Sequence, residues 1–322
     1  MKQLLLVSQK MSCLAEKNIY KEVIETPEFE RLKHISFLGI LDYLPKLKNS
    51  TRYDHSISVA ELCHIYAKRQ ALTAAEETYT VLAGLLHDIG HSPFSHTMEK
   101  VFKRRFSVTH HNVSKKIILK SENLNRIWEK FYIDPKKIIS TIESITDHHK
   151  LPFNLDALDG LMRIECNFTN SYTFKIISKL FDQICQFENT MDLEIFDLFW
   201  QHKQKIYKTY IYNDYFRIIE GVFQGIFMND PDLNQDDFLL TDIEIQNKFK
   251  WTKEFIKNLN SIECYKNMTF TLDILDMPSK INSSTRNFYI NINEKFSAVD
   301  NKRYLVSIED MDYDLTDELP IF

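Results

Sequence analysis

The stretch HDIGHSPFSH, residues 87–96, decides how the rest of this chain is read. Upstream of it, Thr73 and Glu76 have the spacing of a capping box. Tyr79, Leu82, Ala83 and Leu86 follow at helical spacing, so a buried helix leads into the motif. Gly90 should stop that helix and Pro93 keeps it stopped. His87 and Asp88 are therefore neighbours at a helix C-terminus. Adjacent helical residues point about 100° apart, so such a pair grips one ion only from a helix end or beside a second helix. A divalent ion needs more ligands, and His and Asp from elsewhere in the chain must complete the set.

Working outward, His55 in TRYDHSISV stands at the start of a helix expected over 57–70. That helix carries Val59, Leu62, Cys63, Tyr66 and Ala67 on one face. Asp156 heads a helix in LDALDGLMR, expected over 155–166. Both are candidates for the missing ligands. Ten of the eleven histidines lie between His34 and His149, a concentration that scattered surface histidines would not produce.

The remaining text is mainly helical. Residues 17–43 read as short helices, with Thr26-Pro27 as N-cap and first helical position. Asp134-Pro135 repeats that pair before Ile138, Ile142 and Ile145. Further helices are expected at 174–187, 193–211 and 214–228. After about residue 265 the period falls to two at Met268–Ile274, Phe288–Ile292 and Tyr304–Ile308. The expected organisation is an all-helical domain over 1–245. A C-terminal helix, a small β-containing appendage and an acidic tail follow over 246–322. Six of the ten residues from Glu309 to Glu318 are acidic, which reads as a solvated tail or as an autoinhibitory or partner-binding one.

Composition excludes several classes. Six glycines and eight prolines in 322 residues leave no room for a glycine-loop dinucleotide fold or a linker-rich chain. The five cysteines at 13, 63, 166, 185 and 264 are never paired as C-x-x-C, which disfavours disulfide scaffolds and zinc ribbons and suits a reducing, cytoplasmic setting. No apolar run approaches a membrane span. A net charge of −5 disfavours a general nucleic-acid coat, though not a local pocket for an anionic substrate.

TPEFERLKHISFLG, TRYDHSISV, HDIGHSPFSH, VTHHNVS and LDALDGLMR together resemble the HD-domain phosphohydrolases, over roughly residues 20–230. Within that superfamily the chain looks like the deoxynucleoside-triphosphate triphosphohydrolases, bacterial and vertebrate. LLTDIEI at 239–245 resembles a later segment of the same family. The resemblance implies a helical HD bundle with a divalent metal (Mn, Mg, Fe or Zn) on His55, His87, Asp88 and Asp156. It implies that Arg52 touches a substrate phosphate, with Arg163 and Lys203 as further phosphate-side candidates. Arg163 also stands one turn beyond Asp159 and is placed to pair with it. His91, His96 and His110 match histidines that line the phosphates and supply protons. The family further implies a nucleotide substrate, a homo-oligomer (dimer, tetramer or hexamer), an allosteric nucleotide and a role in antiviral defence.

The chain also departs from that family. Phe37 stands where a glutamine inspects the sugar's 2′ position, and Ala157 where a lysine meets phosphate. Gly160 and Ile164 replace a tyrosine and an aspartate at the 3′-hydroxyl. A buried hydroxyl left without its partner costs about 1–3 kcal/mol, so the usual pose is weakened. Two substrate readings follow: a deoxynucleoside triphosphate cut to deoxynucleoside and triphosphate, or a monophosphate, cyclic nucleotide or single-stranded oligonucleotide. A nucleotide-binding regulator without turnover is a third class.

In either enzyme the ion would acidify a water and polarise phosphorus, Asp88 would orient the nucleophile, and His96 would protonate the leaving oxygen. His148 and His149 invite a second-metal reading, or simply favour a helix C-terminus. The run Lys100, Lys103, Arg104, Arg105 reads as a solvated face or a nucleotide track, and Tyr207, Tyr210, Tyr212, Tyr215 and Phe216 as core packing or a base platform.

Overall fold

A computed structural model describes residues 17–44, 50–146, 155–168 and 214–259, the isolated positions Leu14, Phe181 and Ile206, and the segments 280–283 and 311–314. The chain is mainly α, as expected. Helix α1 (Asn18–Ile24) is followed by α2 (Pro27–Glu30), whose first turn is capped by the Thr26 hydroxyl, and by a tight turn over Arg31–His34. A second tight turn spans Gly39–Tyr43. Gly39 has φ +66°, and a Cβ there would run into Thr97 and the Phe94 carbonyl, so only glycine fits.

Helix α3 (Arg52–Arg69) starts five residues ahead of its expected start at residue 57. The cause is a reciprocal capping box between Thr51 and Asp54, a polar signal that hydrophobic periodicity does not carry. It places His55 inside the first helical turn. Helix α4 (Ala74–Leu86) has the Thr73–Glu76 box read from the sequence, and His87 is its C-cap. Gly84 lets α3 and α4 approach closely, since a Cβ there would lie 2.7 Å from the Ala60 Cα.

Helices α5 (Ser95–Phe106), α6 (His110–Lys120), α7 (Glu122–Phe131) and α8 (Pro135–Thr141) follow. Asp134 caps α8, which runs into a π turn at Ile142–Thr146. Beyond it lie α9 (Leu155–Phe168), α10 (Asp214–Asn229), α11 (Asp242–Lys248) and α12 (Trp251–Leu259). The expected helices at 174–187 and 193–211 lie outside the described residues, apart from Phe181 and Ile206.

Two apolar clusters form the core. One gathers α1, α3, α4, α6, α7 and α8 through residues such as Val23, Ala60, Leu82, Ile118, Trp128 and Ile138. The other gathers α5, α10 and α12 through Phe102, Phe223, Phe227 and Phe255. Because Phe249, Phe255 and Leu259 belong to the second cluster, helical packing continues past residue 245.

The HDIGHSPFSH segment stitches the clusters together, with Ile89 in the first and Phe94 in the second. Phe94 (φ 50°) and Ser95 (φ 46°) both sit in the left-handed region, at about 1–2 kcal/mol each. Burying the Phe94 ring against Phe223, 5.0 Å away, contributes about 1.5–3 kcal/mol and offsets much of that cost.

Toward the C-terminus, β1 (Lys280–Ser283) pairs antiparallel with β2 (Met311–Asp314), Lys280 opposite Asp314. Neither strand falls in the three alternating runs, which lie outside the described residues, as does most of the acidic tail.

Candidate metal centre

Three helices bring the candidate ligand atoms together: His55, His87 and Asp156 each offer one within 4.8 Å of the others, and Asp88 Oδ2 lies beside the two histidines. His55 comes from the first turn of α3, His87 and Asp88 from the end of α4, and Asp156 from the start of α9. His55 Nε2 and His87 Nε2 are 3.3 Å apart. Asp88 Oδ2 is 3.6 Å from each of them. Asp156 Oδ1 is 2.8 Å from His55 Nε2 and 3.8 Å from His87 Nε2. Donor atoms that share one ion at about 2.1 Å stand roughly 3.0–3.4 Å apart. The five spacings bracket that range.

The partners of the other ring nitrogens test whether an ion fits. His87 Nδ1 faces the Gly84 carbonyl oxygen at 2.8 Å. A carbonyl only accepts, so Nδ1 carries the proton and Nε2 the lone pair. His55 Nδ1 faces the Asp159 carboxylate at 2.6 Å, with the same consequence. Two lone pairs then confront each other in a buried site, which is unfavourable unless a cation lies among them. The orientation of each ligand by an outer partner is the usual accompaniment of metal binding.

Without metal a proton takes that part. Burial pushes the His55 pKa down, but its bonds to Asp156 and Asp159 outweigh burial and raise it to about 9. Burial opposes the charge on Asp88, yet the neighbouring His87 and Arg52 hold its carboxyl well below the usual range. For Asp156, burial is likewise overcome by His55, and the carboxyl falls to about 2. Both carboxylates are thus anionic. Asp156 keeps 36% of its side chain exposed while His55 is fully buried, so the site opens to solvent on the Asp156 side.

A second histidine group adjoins the first. His91, His96 and His110 bring a ring nitrogen each within 4.8 Å of one another. Glu99 ties two of them: Oε1 faces His110 Nδ1 (2.5 Å) and Oε2 faces His96 Nδ1 (3.1 Å). Burial disfavours the Glu99 anion, but His110 and His96 hold it far below the carboxylate range. His91 is fully buried, stacked on His110 with centroids 4.3 Å apart, and neither ring nitrogen has a partner among the described residues. Burial, then the Arg52 cation, keep it neutral. Its Nε2 lies 3.6 Å from Asp88 Oδ1, so Asp88 faces both groups, one oxygen to each.

Arg52 donates to Asp88 Oδ2 (2.7 Å), Ser95 Oγ (2.8 Å) and the Phe37 carbonyl (3.0 Å). Arg163 pairs with Asp159 at 2.5 Å. Three further N–H groups go to Ser50, Ser58 and the Asp54 carbonyl. Four of its five N–H groups are engaged in this brace around Asp159 behind His55, which favours a structural role for Arg163. Lys203, His148, His149, His202, Tyr207, Tyr210 and Tyr212 lie outside the described residues. In the basic run, Lys100 pairs with Glu220 and Arg105 donates to the carbonyls of Phe227, Asp230 and Leu233, so half of it is tied to structure.

Among the departing residues, the Phe37 ring packs on His55 (4.9 Å) and beneath the Arg52 guanidinium (4.8 Å). A Cβ on Gly160 would meet Phe37 at an ordinary 3.7 Å, so the glycine leaves space rather than relieving a clash. A cavity of about 390 Å³ adjoins His87 between α6 and α8, walled by Ser114, Ile118, Ile139 and Ile142 and bordered by the Lys115–Glu143 ion pair. Sequence reasoning passed over Glu99, although its i,i+3 spacing from His96 on a helix was a usable signal.

Residues 52–170 match the HD domain family. Human deoxynucleoside triphosphate triphosphohydrolase SAMHD1 is 37% identical over 87 residues, 25% of this chain and 14% of the human protein. An uncharacterized protein of Mycoplasma pneumoniae, the MG461 homolog, is 36% identical over 129 residues, 38% of this chain and 30% of that protein. Bacillus subtilis YwfO, also uncharacterized, is 32% identical over 114 residues, 34% of this chain and 25% of its own length. The matches thus span less than a third of each of these relatives.

Proposed function

We propose that this chain, which carries an HD domain at residues 52–170, is a metal-dependent phosphohydrolase that cuts a deoxynucleoside triphosphate into deoxynucleoside and triphosphate. The observation that supports the reading is that His55, His87 and Asp156 offer atoms within 4.8 Å of one another, with Asp88 Oδ2 3.6 Å from both histidines, beside Arg52 and a second histidine group. A divalent ion on those four residues would supply Lewis acidity at phosphorus and a more acidic water.

The chain's own groups do the rest. Asp88 orients the attacking water; its oxygen, having given up one proton to solvent, forms a bond to the α-phosphorus as the bond to the 5′-oxygen breaks. His96, held through Nδ1 by the Glu99 anion, gives the leaving oxygen its proton. Arg52 and His110 offset the negative charge of the phosphates. Assembly into a homo-oligomer and control by a second nucleotide belong to the same reading, on the strength of the resemblance alone.

A second reading rests on Phe37 and Gly160. An aromatic ring over His55, beside an empty position, suits a substrate other than the usual sugar pose: a nucleoside monophosphate, cyclic nucleotide or single-stranded oligonucleotide. Incubating wild-type protein and Asp88→Ala with Mn²⁺ and a mixed pool of dNTPs, NTPs, dNMPs, cyclic dinucleotides and single-stranded DNA separates the readings by mass spectrometry. Deoxynucleoside and triphosphate from the wild type alone are expected. Orthophosphate or nucleotide products would transfer the assignment to the second reading, and tight nucleotide binding without product would make the chain a regulator. Turnover that survives Asp88→Ala would sink the metal mechanism.

A further inference from the structure

The LLTDIEI segment at 239–245 lies far along the chain from the ligands, and the mechanism above makes no use of it. Yet the side chains of Asp242 and Arg31 strap it onto the HDIGHSPFSH loop. Asp242, only 2% exposed, accepts from the Phe94 backbone N–H (2.6 Å) with Oδ1. Its Oδ2 accepts from the Ser36 backbone N–H and the Tyr43 hydroxyl, each at 3.1 Å. Arg31 donates to the Leu239 and Leu240 carbonyls and to those of Ile89 (3.1 Å) and His91 (2.8 Å). A carboxylate from residue 242 therefore fixes the one stretch of loop whose backbone is left-handed, at Phe94 and Ser95.

That stretch connects directly to a ligand. The Ser95 hydroxyl accepts from Arg52 Nε at 2.8 Å and donates to the Ser36 carbonyl. Arg52 in turn donates to Asp88 Oδ2 at 2.7 Å. Asp242 thus grips both ends of the Ser95 hydroxyl's setting: the Phe94 N–H just before Ser95, and the N–H of Ser36, whose carbonyl the hydroxyl meets. Every link is buried, so none is exchanged for water at low cost.

We propose that Asp242 is a positioning residue for the metal centre, acting through Phe94, Ser95 and Arg52 on the orientation of Asp88. The carboxylate does not touch the ligands. It determines where the Arg52 guanidinium holds one Asp88 oxygen, and hence how well the four ligand atoms converge. The proposal rests on the reading of the site as a metal centre, but its effect on ion affinity stands whether or not the bound ion serves hydrolysis.

The test compares Mn²⁺ affinity by titration calorimetry, well below each melting temperature, in the full-length wild type, Asp242→Ala, Ser95→Ala and Asp237→Ala. Asp237 is buried nearby and pairs with Lys248, but makes no contact with the loop in the hydrogen bonds above. Loss of an outer partner typically weakens metal binding by about 10–100-fold. Asp242→Ala and Ser95→Ala should therefore each weaken Mn²⁺ by roughly tenfold or more, with Asp237→Ala close to wild type. Wild-type affinity in Asp242→Ala or Ser95→Ala overturns the relay. So does an equal loss in Asp237→Ala, which would mark general destabilisation. Should Asp242→Ala fail to fold, Ser95→Ala decides alone. A wild type that binds Mn²⁺ but cleaves no phosphate ester refutes the hydrolase reading while leaving this comparison intact.

Discussion

Asp159→Asn isolates the charge behind His55 from the shape around it. One oxygen, Oδ2, serves both His55 Nδ1 (2.6 Å) and Arg163 Nε (2.5 Å). An asparagine with its carbonyl oxygen in that place still accepts from both donors but carries no negative charge. Burial opposes that charge, but Arg163 and His55 hold the Asp159 carboxyl below its ordinary range, so it is ionised at neutral pH. Hydrogen bonds to charged groups contribute about 1.5–3 kcal/mol against about 0.5–1.5 kcal/mol for neutral ones. Arg163 stays cationic and largely buried without its anion, so the two bonds together lose about 1–3 kcal/mol. For a chain of this size the melting temperature should drop by several degrees. The neutral acceptor also makes His55 a poorer donor to an ion, and Mn²⁺ affinity should fall by about tenfold, which is 1.4 kcal/mol. Differential scanning calorimetry and Mn²⁺ titration read the two effects separately. Unchanged melting together with an affinity within twofold of wild type would refute the role assigned to Asp159.

Three more predictions follow from the same geometry. In the metal-free protein the stability that the His55 proton contributes is fully present below pH 6.5 and is lost as pH rises through about 9. Mn²⁺ must displace that proton, so its apparent affinity should climb between pH 7 and 9 and then level off, with about one proton released per ion in calorimetry; an affinity flat across that range contradicts it. Glu99 is held far below 4.5, so its contribution is present above that pH and lost on acidification. Thermal melts of Glu99→Gln should accordingly lie below wild type at pH 6–7 and converge with it below pH 4.5. Gly39→Ala should destabilise by at least about 1–2 kcal/mol from its left-handed backbone, more with the clash against Thr97, and a wild-type denaturation midpoint would count against that account.

The four residues proposed to hold the ion were legible as candidates because each lies in a short text of fixed spacing and at a helix end that caps and turn residues mark locally. His55, His87, Asp88 and Asp156 needed no knowledge of which helices touch. The supporting carboxylates did. Asp159 was legible as a partner for Arg163, one turn away, but not as the acceptor for a histidine 104 positions back in sequence. Asp242 reaches Phe94 across 148 positions, and no periodicity or cap in either segment records that meeting. The start of α3 went unread for a different reason: its first turn is polar, and Thr51–Asp54 announces it only to a search for caps.

The central claim is that the four residues hold a divalent ion, and Mn²⁺ binding followed by electron paramagnetic resonance tests it most directly. The account predicts one tightly held ion per chain in the wild type. That signal should be lost in His55→Ala and in Asp156→Ala, with helical circular dichroism retained in both. A wild type without saturable binding, or either variant holding the ion as tightly as wild type, would contradict it.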